Sequence, residues 1–158
     1  MNIKRDWLQK SMEVNVVGHV MLTQALVPLL KKQKTVKTTD SPVDYQELSK
    51  VVNLSARVGS INDNGLGGWY SYRMSKAALN MFTKTSSVEL KRSNILTMSI
   101  HPGTTDTDLS VPFQKNVQPD KLFTVEYSVG KMLEVIWSKS NILETGKFFA
   151  YDGTDIPW

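Results

Sequence analysis

No cysteine occurs among the 158 residues. That absence excludes a disulfide framework, a zinc–thiolate centre and a thiol nucleophile, and it suits a reducing compartment, so a cytoplasmic location is the expectation. Unbroken apolar runs near the ~18 residues of a membrane span are also lacking. The most apolar stretch, Val16 to Leu30, is interrupted by Gly18, His19, Thr23, Gln24 and Pro28. A secretory leader is not expected: Lys4 and Arg5 supply positive charge, but Glu13, Asn15 and His19 spoil the apolar stretch, and no small-residue cleavage pattern comes after it. Charge of neither sign dominates, the net value being +4. Its sharpest cluster, Lys31, Lys32, Lys34 and Lys37, reads as a solvated face. Neither nucleic acid nor a membrane is therefore expected as a partner, and no metal site is expected.

What is present is ordinary for a globular protein. Apolar residues make up 41% and charged residues 22%, enough to build a core and too apolar for wholesale disorder. Residues 4–33 carry an apolar face near the helical period, with Trp7, Met12, Val16 and Val20 on it. Pro28 is placed to kink or end that helix. Residues 34–49 are polar and read as a flexible connector. Residues 50–55 and 95–100 read as buried parallel strands, and 147–151 as a third. Helices are expected over 69–93, with Met74, Ala77, Ala78, Met81, Phe82 and Leu90 inward, and over 124–138, with Thr124 as N-cap. Residues 104–123 read as loop. Helix and strand alternate throughout, which predicts an α/β fold with a parallel sheet and covering helices in one domain.

The segment with chemical content is VVNLSARVGSINDNGLGGWYSYRMSKAALN. Tyr72 and Lys76 stand four apart at the start of a predicted helix and so share a face. A phenol beside an ammonium has its anion stabilised and its pKa lowered, which suits proton exchange with a carbonyl or alcohol oxygen. Alone the pair is weak, since any helix can hold it by chance. Its context is more specific. An apolar strand ending in Asn53-Leu54-Ser55 and a glycine-rich loop precede it, and a long helix and a strand ending in HPGTTDT follow it. This order resembles the C-terminal part of the short-chain dehydrogenase/reductase family, with YRMSK as its Tyr-x-x-x-Lys, VVNLS as the strand before it and Glu13 to Gly18 as its catalytic-Asn helix. The wording NLSARVGS with the tail KFFAYDGTDIPW is similar to the C-factor-like carbonyl reductases of that family.

The resemblance implies the C-terminal part of a Rossmann-like doubly wound parallel sheet of about three strands. It also implies hydride transfer between NAD(P)H, NADP rather than NAD, and a small carbonyl or alcohol compound. Tyr72 would be the acid/base, Lys76 would lower its pKa and hold the nicotinamide ribose, and Asn15 would position a relay water. Pro102, Gly103 and Thr107 would lie along the cofactor, and Trp69 would line a pocket closed by residues 104–123. Plainer alternatives stand beside these: Asn15 as a bonded polar group in the sheet layer, Thr107 as a loop or cap residue, Trp69 as packing. The two long helices would form a homodimer interface.

Two departures set expectations of their own. The position of the family's catalytic Ser is held by Ala56, which has no hydroxyl. Ser55 points to the opposite face of an extended strand, so Ser60 is expected to take its place if a loop shift brings it in. Losing such a donor typically costs ~3 kcal/mol of transition-state stabilisation. The nine glycines, moreover, contain neither Gly-x-x-x-Gly-x-Gly nor Gly-x-Gly-x-x-Gly, the turns that cradle a dinucleotide pyrophosphate at a helix N-terminus. Residues 1–158 are thus expected to be a partial domain lacking the first strands and that loop. The alternative to an oxidoreductase is a truncated, non-catalytic protein acting through dimerisation or signalling.

Overall fold

The computed structural model describes residues 3–32 and 48–158. The expected connector falls almost wholly outside the described residues. Helix α1 (Arg5–Met12) runs through a π-helical turn (Glu13–Val17) into α2 (Gly18–Leu30). Pro28 lies inside α2 near its end and does not break it. Then come β1 (Ser49–Leu54), a tight turn (Arg57–Gly59), α3 (Tyr70–Leu90) and β2 (Ile95–His101). A two-residue strand β3 (Thr104–Thr105) pairs in parallel with β4 (Leu122–Phe123), the segment between them forming two short 3₁₀ turns. Helix α4 (Val125–Ser138) and β5 (Phe148–Ala150) complete the chain. Thr124 caps α4, its hydroxyl accepting from the Tyr127 N–H at 3.2 Å.

The main sheet is parallel in the order β1-β2-β5. Its central strand β2 is almost fully buried, and its two faces differ in chemistry. Leu96, Met98 and Ile100 point one way into an apolar cluster with Phe149 and with Val135 of α4. Thr97 and Ser99 point the other way, toward α3. There the contact is polar: Asn53 Nδ2 and the Ser99 hydroxyl both donate to Thr83 Oγ1 at 2.9 Å, and the Thr83 hydroxyl donates in turn to the Leu79 carbonyl at 3.0 Å.

That network corrects the expected inward face of α3. Met74 and Met81 are exposed, and the buried positions are Ser75, Lys76, Leu79, Asn80, Thr83, Ser86, Ser87 and Leu90. Small hydroxyl and amide side chains let the helix approach the strands closely and satisfy one another in doing so. Much of the apolar content of α1 and α2 likewise faces out, with Trp7, Met21, Leu22 and Leu29 more than half exposed.

By mean hydropathy, 1.3 over its best window, Arg5–Leu30 is long and apolar enough to cross a membrane, a measure that tolerates the interruptions the unbroken-run test does not. In this fold some of its polar side chains face inward: Asn15 bonds to α3 and His19 to Asn53 of β1 at 3.2 Å.

Candidate active site

The C-terminal ends of β1 and β2 open on one side of the sheet, where parallel α/β folds collect their ligands. Two cavities meet there. One, of about 480 Å³, is bounded by Ser55, Ala56, Tyr72, His101, Pro102, Gly103 and Thr107. The other, of about 820 Å³, is bounded by Trp7, Val14, Asn15 and Tyr72. Trp69, Tyr72, Leu109 and Phe113 belong to both, so Tyr72 stands on the shared wall.

Backbone geometry delivers these side chains. Gly67, Gly68 and Trp69 occupy left-handed conformations in succession, at φ 66°, 71° and 47°. For Trp69 this costs about 1–2 kcal/mol, and it turns the indole against Phe113, with ring centroids 5.0 Å apart. Arg73 fastens the glycine loop, its Nε donating to the Gly67 carbonyl and its Nη1 to the Val58 carbonyl, both at 3.1 Å. Tyr72, in the first turn of α3, therefore enters the cavity from a fixed helix end.

Lys76, one turn along, is buried, and its ammonium donates to the Leu54 carbonyl at 2.8 Å. It lies over the Tyr72 ring, 5.8 Å from the centroid. Burial lowers the Lys76 pKa and raises that of Tyr72. The direction for Tyr72 is opposite to the one expected from an adjacent ammonium. The Lys76 ammonium donates its hydrogen bond to the end of β1, and desolvation governs the phenol.

Asn15 lies in the π-helical turn, a distortion that re-aims side chains and recurs at functional sites. Its Nδ2 donates to Ser75 Oγ at 3.0 Å, and Ser75 donates to the Tyr72 carbonyl at 2.9 Å. Asn15 is thus both a cavity residue and a bonded polar group between α1 and α3.

The serine order is reversed from expectation. Ser60 is buried away from both cavities, its hydroxyl accepting the Asp63 N–H at 3.0 Å as a turn cap. Ser55 borders the smaller cavity beside Ala56, with its hydroxyl bonded to Asn80 Oδ1 at 2.7 Å. Thr107 is exposed and weakly held, its hydroxyl 3.4 Å from the Thr105 carbonyl. Pro102 and Gly103 leave β2 at the cavity floor. Gly103 has φ 78°, and a Cβ there would meet the Phe123 ring at 2.6 Å, so only glycine fits.

The sequence motifs do not mark His101 or Phe113, and both border the smaller cavity. The strand period is a usable signal for His101, because it puts this residue on the same face as Thr97 and Ser99 and directly before the Pro-Gly exit. Phe113 lies in a segment with no periodicity to read.

The profile of the short chain dehydrogenase family matches residues 2–118. The chain belongs to that family. It is 34% identical to the C-signal protein of Myxococcus xanthus over 96% of this chain and 78% of that one. Carbonyl reductase Sniffer of D. melanogaster superposes with a TM-score of 0.81 at 34% identity, over 99% of this chain and 59% of that one. The NADPH-bound carbonyl reductase from chicken fatty liver gives 0.81 at 32% identity over the same shares. The chain thus spans under two thirds of either carbonyl reductase, and 56% and 59% of two further oxidoreductase relatives. The fold is accordingly the C-terminal share of a Rossmann-type short-chain dehydrogenase.

Proposed function

We propose that this short-chain dehydrogenase reduces a small, partly apolar carbonyl compound with NADPH. The observation that carries the reading is Tyr72 on the wall common to the two cavities, with Lys76 over its ring and Asn15 bordering the larger cavity. A protonated phenol is a proton donor, the role that carbonyl reduction asks of Tyr72. Tyr72 gives its proton to the substrate oxygen, the Lys76 ammonium over the ring stabilises the phenolate left behind, and Asn15 holds the water that returns the proton. Trp69, Leu109 and Phe113 supply an apolar wall for the rest of the substrate.

The nicotinamide end of the cofactor fits these residues. Pro102 and Gly103, which border the smaller cavity, would lie along it, and Thr107, whose hydroxyl makes only a 3.4 Å bond, would hold a phosphate. The pyrophosphate turn has no counterpart in this sequence. When bound, the cofactor supplies the hydride. NADP is favoured over NAD by the NADPH-bound relative. A homodimer through the long helices α1–α2 and α3 is part of the same reading, supported by exposed Met21, Met81 and Val88.

The test is NADPH titration by fluorescence followed by turnover on aromatic ketones. Saturable binding with turnover is expected, and Tyr72→Phe should lower the rate by about a hundredfold or more while sparing NADPH binding. Absence of both binding and turnover in the unaltered chain would return the reading to the non-catalytic alternative.

A further inference from the structure

The smaller cavity is short of one hydrogen-bond donor. Ala56 borders it where a hydroxyl would otherwise bond the substrate oxygen, and several neighbouring donors are engaged. Ser55 is committed to Asn80, Arg57 to Asp63, Arg73 to the Gly67 and Val58 carbonyls, Thr105 to Ser128, and Ser110 to the Thr107 carbonyl. His101 is different. Its ring makes no hydrogen bond among the described residues, and its Nδ1 is buried without a partner. Its place is also suitable: the Ser55 N–H donates to the Ile100 carbonyl at 2.8 Å, so His101 stands alongside the Ser55–Ala56 pair at the end of β2 and borders the same cavity as Tyr72. Resting on the carbonyl-reductase reading above, we propose that His101 donates a hydrogen bond to the substrate's carbonyl oxygen, in the place of the hydroxyl missing at position 56.

The charge state agrees with that role. Burial and the Arg57 guanidinium push the His101 pKa down to about 4, against a smaller opposing pull from Asp152. The ring is therefore neutral at physiological pH and carries one N–H and one lone pair in either tautomer. A neutral N–H orients and polarises a carbonyl oxygen without competing with Tyr72 to deliver the proton. A buried polar atom without a partner is costly, and a ligand in the adjoining cavity would complete the bonding of the ring.

The chain has two histidines, which makes the imidazole resonances a direct readout. Acetophenone and α-methylstyrene differ only by carbonyl oxygen against methylene, so their affinity ratio isolates the bond to oxygen. Acetophenone should shift the His101 ring ¹⁵N signals, leave those of His19 in place, and bind about fivefold more tightly than α-methylstyrene. His101→Phe should bring the ratio close to one, and His101→Gln, whose amide still donates, should keep a preference. An unchanged ratio in His101→Phe overturns the assignment while leaving the carbonyl-reductase reading intact. Should His101→Phe fail to fold, His101 signals in the unaltered chain that acetophenone does not move overturn it equally. No binding of acetophenone at all removes the carbonyl reading of the cavity and this proposal with it.

Discussion

At the scale of single residues, His101 links the site to stability. Its folded-state pKa of about 4 lies below the ordinary imidazole value, so the unfolded chain binds a proton that the native chain refuses. Stability is then full above pH 6.5 and falls as the pH drops toward 4. Over that window the loss is about 3 kcal/mol from this one group. Urea unfolding at pH 7 and pH 4 should show that slope in the unaltered chain, and His101→Gln should lack this component of it. Tyr72 and Lys76 are legible in the sequence as a pair four apart on one helix, read in the context of the motifs around it, and Asn15 only through the resemblance to the family's catalytic-Asn helix. The sequence favours Ser60 over Ser55 because counting along the chain cannot show that the Arg57–Gly59 turn keeps Ser60 occupied as a cap. It also points to a lowered Tyr72 pKa, since proximity to an ammonium is legible in a sequence and depth of burial is not.

At the scale of elements, the order and type of the main helices and strands are readable from alternation and period. Which face of α3 turns inward is not. Apolar periodicity marks a buried face only where the opposing surface is apolar, and the side of the sheet facing α3 is Asn53, Thr97 and Ser99. The close approach depends on Gly59. A Cβ there would lie 2.7 Å from Lys76 Cβ and 2.8 Å from the Lys76 carbonyl carbon, and helix backbone cannot yield as a flexible side chain can. Gly59→Ala should therefore lower stability by about 1–3 kcal/mol, seen as an earlier urea midpoint. It should also weaken NADPH binding, because the displaced segment carries Lys76.

At the scale of the whole molecule, exposed apolar side chains on α1, α2, α3 and α4 make a surface that favours association. If the long helices pair with those of a second copy, Met81→Glu together with Val88→Glu should convert a dimer to a monomer in light scattering while leaving the cavity residues in place. A dimer that survives both changes would move the interface elsewhere.

The parallel sheet also has a kinetic consequence. Ser49 pairs with Ile95 and Ser99 with Phe148, so each ladder joins segments roughly fifty residues apart and closes only after a helical crossover has formed. Such non-local pairing belongs to the slow end of the folding range, milliseconds to seconds. During that interval β1 has not yet paired with β2, and the apolar side of β2 has not yet met Val135 of α4. Newly made chains therefore face their greatest risk of misassembly before the active-site residues have come together.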